Sequence, residues 1–218
     1  MKKKAVLVTG FEPFGGYASN PSADIARGLD GRRIAGAPVI GRVLPVDMAA
    51  LDRALTTVLR EVDPLAVILL GLAAGEAVIR LERVALNLAD FGIPDNAGVR
   101  AKDLAIDARA GAALWTRLPV RAIQAKLLEA GIPARLSETA GTYLCNAAMY
   151  RALARLPARV QCGFIHLPLT PAEVAARLDR DSAAPIQPSM SLSVQRKAVE
   201  IAVAATLATR PESRRSKA

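Results

Sequence analysis

Short apolar runs alternate along this chain with longer segments in which apolar positions recur every three or four residues. The first kind is typical of β-strands, and runs that are apolar throughout indicate strands buried on both faces of a sheet. The second kind predicts amphipathic helices. The runs interpreted as strands are AVLVTG, APVIGRVLPVD, LAVILLGLA, IPARLSETAG and CGFIHLPL. The main helical segments are MAALDRALTTVLREVD, LPVRAIQAKLLEAG, CNAAMYRALARL and MSLSVQRKAVEIAVAATLAT.

Alternating strands and helices predict an α/β fold with three layers, α/β/α, and a mostly parallel central sheet. The helix over 48–63 is expected to stop before Pro64. The segment 74–98 alternates only partly in polarity and ends in turn residues, so it is predicted to leave the sheet near its C-terminal edge. With 218 residues and no long linker, the chain is expected to form one domain over 1–209, followed by a basic, mobile tail over 210–218.

The formal net charge of +9 is a feature shared with nucleic-acid-binding proteins. The arginines are, however, spread along amphipathic helices, and aromatic residues make up 4% of the chain, which is too few for base stacking. We therefore expect a solvated basic surface and no nucleic-acid partner. No segment of the sequence is long and apolar enough to span a membrane, so no membrane partner is expected either.

The cysteine and histidine content restricts the chemistry. Two cysteines, Cys145 and Cys162, indicate free thiols in the reducing cytoplasm rather than a disulfide framework. A single histidine, His166, and scattered acidic residues offer no convincing metal site, and no cofactor is expected.

The loop FEPFGG follows the first predicted strand. It lacks both the GxGxxG spacing and the lysine of a P-loop, so it is not predicted to bind a nucleotide. Ser19 or Asn20 is suited to cap the next helix, with Pro21 in its first turn. Phe11 and Phe14 either wall an apolar slot or pack into the core, and the sequence pattern leaves both interpretations open.

The stretch SETAGTYLCNAAMY brings Cys145 out of a glycine turn onto the start of a predicted helix. The thiolate is the nucleophilic form of cysteine, and the partial positive charge at a helix N-terminus favours it. His166 lies at the C-terminal end of a predicted strand, where open α/β sheets carry their sites. A reactive pair of Cys145 and His166 is one interpretation, and packing of both side chains in the core is the other. Cys162 lies within an apolar strand pattern, so we interpret it as a core residue.

Glu82 lies in the partly alternating stretch LERVALN. A carboxylate at this position would be able to orient the imidazole of His166, as the third member of a catalytic triad does. The alternative is an ordinary exposed glutamate paired with Arg80 or Arg83, and spacing alone favours that alternative.

Five blocks of the sequence, in order, resemble the pyrrolidone-carboxylate peptidase family, also called pyroglutamyl-peptidase I. They are VLVTGFEPFGGYASNPS, GLAAGEAVIRLERVALNLADFGIPDNAG, SETAGTYLCNAAMY, GFIHLPLTP and PSMSLSVQRKAVEIA. The resemblance covers nearly the whole chain. It implies a phosphorylase/hydrolase-like α/β fold and a cytoplasmic cysteine peptidase that removes N-terminal pyroglutamate from peptides. It also implies a homo-oligomer, either a dimer or a tetramer.

The resemblance implies a role for each site residue. Cys145 matches the nucleophile of the family, His166 matches the base and Glu82 matches the acid that orients the base. By the same match, five side chains are expected to surround the pyroglutamyl ring: Phe11, Phe14, Tyr143, Leu144 and Met149.

Three departures from the pattern of the family bear on the site. The family commonly has GQAGGR where this chain has GLAAGE, so Leu72 replaces a glutamine and Glu76 replaces an arginine. Gly92 stands in DFGIPDN where the family usually has an arginine near the active site. These departures motivate a second hypothesis, in which the protein binds pyroglutamyl peptides without efficient turnover. None of them removes a proposed catalytic group.

Overall fold

A computed structural model describes residues 3–209, which form an eight-stranded sheet with helices packed against both faces. The strands are β1 (Lys3–Phe11), β2 (Arg33–Ile34), β3 (Ala37–Leu44), β4 (Val62–Leu72), β5 (Ile79–Leu86), β6 (Ala113–Trp115), β7 (Ala134–Thr139) and β8 (Gln161–Leu167). The helices are α1 (Pro21–Leu29), α2 (Met48–Glu61), α3 (Val120–Glu129), α4 (Leu144–Arg155), α5 (Pro171–Arg180) and α6 (Leu192–Ala208). The segment 210–218 lies outside the described residues, so the division of the chain into one domain and a tail stays a prediction.

The strand order in the sheet is β2-β3-β1-β4-β8-β5-β6, and β7 pairs with β5 beside this path. Pairing is parallel between β1 and β3, β1 and β4, β4 and β8, and β5 and β7. The strand β5 runs antiparallel to both β8 and β6. A mostly parallel sheet is thereby confirmed. The predicted departure of 74–98 from the sheet is wrong for β5, which inserts beside β8 because its hydrogen bonds are satisfied there from both sides.

Two apolar layers flank the sheet and confirm the three-layer prediction. The helices α2 and α4 cover one face, while α1, α3 and α6 cover the other. Side chains of β1 alternate between these layers: Leu7 packs in the cluster with α2 and α4, and Val6 and Val8 pack in the cluster with α1 and α6. Such strands are apolar at nearly every position because both of their faces are buried.

Local signals set the helix boundaries. Asn20 caps α1 by accepting a hydrogen bond from the backbone N–H of Ser22 at 3.1 Å, and Pro21 occupies the first turn. The helix α2 ends at Glu61, earlier than predicted, because Pro64 belongs to β4. Pro64 pairs with Ala5 immediately before a register shift, where a residue without an N–H group interrupts the ladder least.

Candidate active site

A glycine turn delivers Cys145 to the start of α4. Gly141 has a φ angle of +78°, a left-handed conformation that favours glycine. Tyr143 is extended at the N-cap position and makes no side-chain hydrogen bond to the helix. Cys145 is the second residue of α4 and is 6% exposed. The thiol therefore lies at the positive end of the helix dipole, as the sequence predicted.

The residue after the cysteine anchors α4 to β5. The side chain of Asn146 is fully buried, and its Oδ1 accepts a hydrogen bond from the backbone N–H of Leu86 at 2.8 Å. Its Nδ2 donates to the carbonyl oxygens of Leu86 at 2.9 Å and Leu88 at 3.0 Å. These three bonds fix Cys145 relative to the strand that carries Glu82. The sequence signal for this anchor was an asparagine among the apolar residues of the predicted helix, because a buried amide needs hydrogen-bond partners.

His166 is the second-last residue of β8, which confirms its predicted place at a strand end. It pairs with Gly71 on β4 and Arg80 on β5. Along the pleat it faces the same side as Cys162 and Phe164, which is the side covered by α4. The ring centroids of Phe164 and His166 are 4.7 Å apart, so the phenyl ring packs against the imidazole.

Glu82 lies beside His166 with no solvent exposure. Its Oε1 is 2.8 Å from His166 Nδ1 and 3.2 Å from Arg80 Nε. Arg83 instead contacts Glu138 at 2.9 Å and lies over the ring of Trp115. Of the interpretation of Glu82 as an exposed glutamate paired with Arg80 or Arg83, the exposure is wrong, whereas the contact with Arg80 is present.

Charges around His166 keep its imidazole protonated at neutral pH. Burial, the largest influence, lowers the pKa of His166. The charge and hydrogen bond of Cys145, followed by the hydrogen bond and charge of Glu82, outweigh burial and raise the pKa of His166 to about 9. The imidazole next to Cys145 is therefore held in its protonated form, which is the form that can stabilise a cysteine nucleophile.

The second cysteine lies in a different environment. Cys162 is fully buried in β8, and burial raises the pKa of its thiol to about 12, although Arg117 opposes this effect. Such a thiol stays protonated and is not nucleophilic. The prediction that Cys162 is a core residue is confirmed.

A cavity of about 310 Å³ opens over the thiol and the imidazole. Its lining comprises Phe14, Leu72, Asp90, Gly92, Ile93, Ala140, Gly141, Thr142, Tyr143, Cys145 and His166. The ring centroids of Phe14 and Tyr143 are 5.7 Å apart, and Phe91 packs edge-on against Tyr143 at 4.8 Å. The cavity is therefore partly walled by aromatic rings and ends at the thiol and the imidazole.

The five residues expected around the pyroglutamyl ring fall into two groups. Phe14 and Tyr143 line the cavity. Phe11, Leu144 and Met149 do not line it; they are 2%, 1% and 0% exposed and belong to the core cluster under α4. Phe11 packs against Phe164, with ring centroids 6.5 Å apart, so it supports the cavity from behind.

Sequence reasoning missed the loop that closes one side of the cavity. Asp90 and Ile93 line the cavity, and the loop is tied to the cysteine turn by three hydrogen bonds. Thr142 accepts from the backbone N–H of Asp90 at 3.1 Å and donates from its Oγ1 to the carbonyl of Asp90 at 2.7 Å. The hydroxyl of Tyr143 donates to Pro94 at 3.1 Å. The turn-rich composition of 90–98 was the available signal, but it did not show where the loop packs.

The three residues that depart from the family pattern differ in whether they line the cavity. Leu72 and Gly92 line the cavity itself. Glu76 does not line it and is paired with Arg80 at 3.1 Å and Arg135 at 2.8 Å.

Gly71 keeps space for the thiol. A Cβ at this position would lie 2.8 Å from Cys145 Sγ and 2.7 Å from Phe164 Cζ, both closer than real Cβ contacts. We expect Gly71→Ala to displace the sulfur and lower kcat about tenfold or more, since small misplacements of reacting groups are costly. The control is Gly92→Ala, which adds a Cβ in open space. Gly16→Ala is unsuitable as a control, because Gly16 has a positive φ angle that favours glycine. Wild-type kcat in Gly71→Ala would contradict the expectation.

Within residues 3–209, no group of three or more His, Cys, Asp or Glu side chains could hold a metal ion. None of the helices in this part of the chain is long and apolar enough to cross a membrane.

A thiol at a helix N-terminus, an imidazole at the carboxyl end of a strand and a buried carboxylate beside it are the groups that a cysteine hydrolase uses. Comparison with known proteins identifies the family. The sequence model of the pyroglutamyl peptidase family matches residues 4–209. The chain is 43% identical to the pyrrolidone-carboxylate peptidase of Klebsiella pneumoniae, over 93% of this chain and 92% of that protein. It is 42% identical to that of Pyrococcus furiosus, over 93% and 97%.

Solved structures agree with the sequence comparison. A pyrrolidone carboxyl peptidase from Thermococcus litoralis superposes with a TM-score of 0.86 at 43% identity, covering 95% of this chain and 94% of the other. A mutant pyrrolidone carboxyl peptidase from Pyrococcus furiosus gives a TM-score of 0.87 at 42% identity, covering 94% and 98%. The chain belongs to the pyroglutamyl peptidase family, and the hypothesis of binding without turnover is not favoured.

Proposed function

We propose that this protein hydrolyses the bond after an N-terminal pyroglutamyl residue of peptides, through a thioester acyl-enzyme. The observation that carries the proposal is the single cavity onto which Cys145 and His166 open, with Glu82 bonded to the imidazole from behind. Family membership supplies the substrate class.

The first half of the reaction forms the thioester. The thiolate of Cys145 attacks the carbonyl carbon that joins pyroglutamate to the next residue. When the C–N bond breaks, the imidazolium of His166 gives a proton to the leaving amine. Glu82 holds Nδ1 and stabilises the cationic ring, so the opposite nitrogen faces the substrate.

The second half releases pyroglutamate. The imidazole, now neutral, takes a proton from water, and the resulting hydroxide attacks the thioester carbon. Breaking the C–S bond restores the thiolate, and the imidazolium forms again. No redox partner enters this sequence, and each proton taken by His166 balances one that it gave.

Backbone N–H groups at the start of α4 are the proposed oxyanion donors. The first intrahelical bond there runs from Ala147 to Tyr143 at 3.1 Å, so the N–H of Cys145 precedes it and needs no helical partner. Tyr143 provides no side-chain cap for this turn. A negative oxygen near Cys145 would be stabilised by that N–H and by the helix dipole.

The cavity walls suit a small uncharged ring. Phe14, Ile93 and Tyr143 provide apolar surface for the flat pyroglutamyl group. Burial raises the pKa of Tyr143 to about 12, with further contributions from Asp95 and Cys145, so its hydroxyl stays neutral. A peptide with a free N-terminal amine would have to desolvate a positive charge against these walls, which is costly.

The test is release of a fluorescent amine from pyroglutamyl-aminomethylcoumarin, run beside the prolyl and alanyl analogues. We expect turnover of the pyroglutamyl compound alone, with the reduced protein. Turnover of the alanyl analogue at a similar rate would contradict the proposed specificity. Absence of turnover by a folded, reduced protein would revive the hypothesis of binding alone.

Gly92 allows the family arginine to be restored. A Cβ there meets no atom within 4 Å, and the residue lines the cavity. We expect Gly92→Arg to increase kcat/KM by up to about tenfold, because a guanidinium near the thiol stabilises developing negative charge. Gly111→Arg, which also places its Cβ in open space but lies outside the cavity, is the control. An equal increase in both variants would contradict the explanation.

We further propose that the protein acts in the cytoplasm as a homo-oligomer, a dimer or tetramer. Both cysteines are free thiols, and Cys145 has to stay reduced to act as a nucleophile. Trp115 on the sheet-edge strand β6 is 65% exposed, and large aromatic side chains of this kind are enriched in subunit contacts. Light scattering of the wild type and of Trp115→Ala tests the assembly, and a monomeric wild type would overturn it.

A further inference from the structure

One oxygen of Glu82 is shared by two cations. His166 Nδ1 lies 2.8 Å from Oε1 of Glu82, and Arg80 Nε lies 3.2 Å from the same atom. Oε2 of Glu82 has no hydrogen-bond partner among residues 3–209. A carboxylate with no solvent exposure needs compensating positive charge, and both cations lie next to the same oxygen.

Arg80 is itself held in place from β7 and from the loop before β5. Its guanidinium donates to Glu76 Oε1 at 3.1 Å, to Ser137 Oγ at 2.8 Å and to the carbonyl of Thr139 at 3.3 Å. The side chain is 21% exposed. Because none of these three partners is the imidazole, Arg80 is anchored independently of it.

The contact from Arg80 to Glu82 acts through charge. Nε makes no hydrogen bond within residues 3–209, although it lies 3.2 Å from the carboxylate, so the N–H is not aimed at the oxygen. The other charged groups facing His166 are Cys145 from α4 and, across the cavity, Asp90. The neighbouring strand β4 contributes Gly71 and Leu72, which carry no charge.

We propose that Arg80 is a positioning residue that holds Glu82 in place behind His166 and balances the negative charge of the pair formed by Glu82 and Cys145. Only the effect of Arg80 on catalysis rests on the proposed function. Its effect on Glu82 and His166 does not. With Arg80 present, the positive charges of Arg80 and the His166 imidazolium equal the negative charges of Glu82 and the Cys145 thiolate. Without it, the cluster carries one uncompensated negative charge.

Removing that positive charge is expected to raise the pKa of His166. A nearby cation disfavours the imidazolium, so its loss makes the ring hold its proton to higher pH. For Arg80→Gln we expect the pKa of His166 to rise by about one unit. Both limbs of the pH profile of kcat/KM are expected to move to higher pH with it. A purely structural role of Arg80 would lower the rate without moving the limbs.

The chain contains one histidine, so proton NMR of the imidazole C–H signals reports His166 alone. This titration, run on untagged protein, needs no turnover, and it separates failure of the inference from failure of the proposed function. Repeating it in Cys145→Ala removes the coupled thiolate and isolates Arg80, Glu82 and His166. An unchanged pKa in Arg80→Gln would overturn the proposal.

Two variants control for side effects. Arg135→Gln removes an arginine that pairs with the same Glu76 but does not contact Glu82, and we expect no shift in the pKa of His166. Arg80→Lys keeps the charge and loses the fork of hydrogen bonds, so the pKa is expected to stay near the wild-type value while kcat falls about fivefold at unchanged KM. If Arg80→Gln does not fold, wild-type kcat in Arg80→Lys would overturn the positioning role.

Discussion

Cys145→Ala is expected to lower kcat for pyroglutamyl-aminomethylcoumarin by about 10³-fold or more, because the thioester cannot form without the nucleophile. The substitution removes one sulfur atom at the edge of the cavity, where the side chain is 6% exposed. The helix start is fixed independently by the three bonds of Asn146. The melting temperature is therefore expected to stay close to that of the wild type, which circular dichroism measures.

Cys162→Ala is the matched control for this variant. It removes the same atom from a fully buried site in β8, where the cost is lost packing rather than lost chemistry. We expect a destabilisation of about 1 kcal/mol and retention of most activity. Equal loss of activity in both cysteine variants would contradict the assignment of Cys145 as the nucleophile.

The sequence was informative about residues whose environment depends on local structure. A glycine turn followed by helical periodicity placed Cys145 at the start of α4, and the end of an apolar run placed His166 at the end of β8. Both environments follow from a few neighbouring residues and from the general geometry of α/β sheets. The three layers likewise followed from the alternation of strands and helices.

Glu82 could not be placed in the same way. Its burial depends on β5 entering the sheet antiparallel to β8, so that Arg80 pairs with His166. This pairing joins segments more than eighty positions apart, and a partly polar strand gives no signal for it. The sequence pattern raised Glu82 as a candidate but favoured an exposed glutamate, and the family resemblance was what favoured Glu82 as the orienting acid.

Side-chain direction explains the other differences. Phe11 and Phe14 lie in the same aromatic stretch, yet Phe11 ends β1 and points into the core, whereas Phe14 lies on the loop and lines the cavity. Leu144 and Met149 follow the buried face of α4. Adjacent residues of one motif therefore differ in whether they can touch a substrate, and a motif does not record which way each side chain faces.

Glu82→Gln tests the electrostatic part of the mechanism. Burial lowers the pKa of His166, while Cys145 and, after it, Glu82 raise that pKa to about 9, so removing the charge of Glu82 lowers it. A lower pKa means that the imidazolium is lost at lower pH. We therefore expect the alkaline limb of kcat/KM to move to lower pH. A glutamine can either accept from Nδ1 or donate to it, so the tautomer of the ring is no longer fixed, and kcat is expected to fall on the order of 10²-fold.

The control for this variant is Glu138→Gln, because Glu138 makes its ion pair with Arg83 on the exposed side of β7 and does not contact His166. We expect wild-type kcat and an unmoved alkaline limb for Glu138→Gln. The NMR titration of the single histidine gives the same comparison without turnover. The substitutions at Glu82 and Arg80 are expected to shift the pKa of His166 in opposite directions. Glu82→Gln removes a negative charge next to the imidazole, whereas Arg80→Gln removes a positive one. A shift of the same sign in Glu82→Gln and Arg80→Gln would contradict the electrostatic account of both residues.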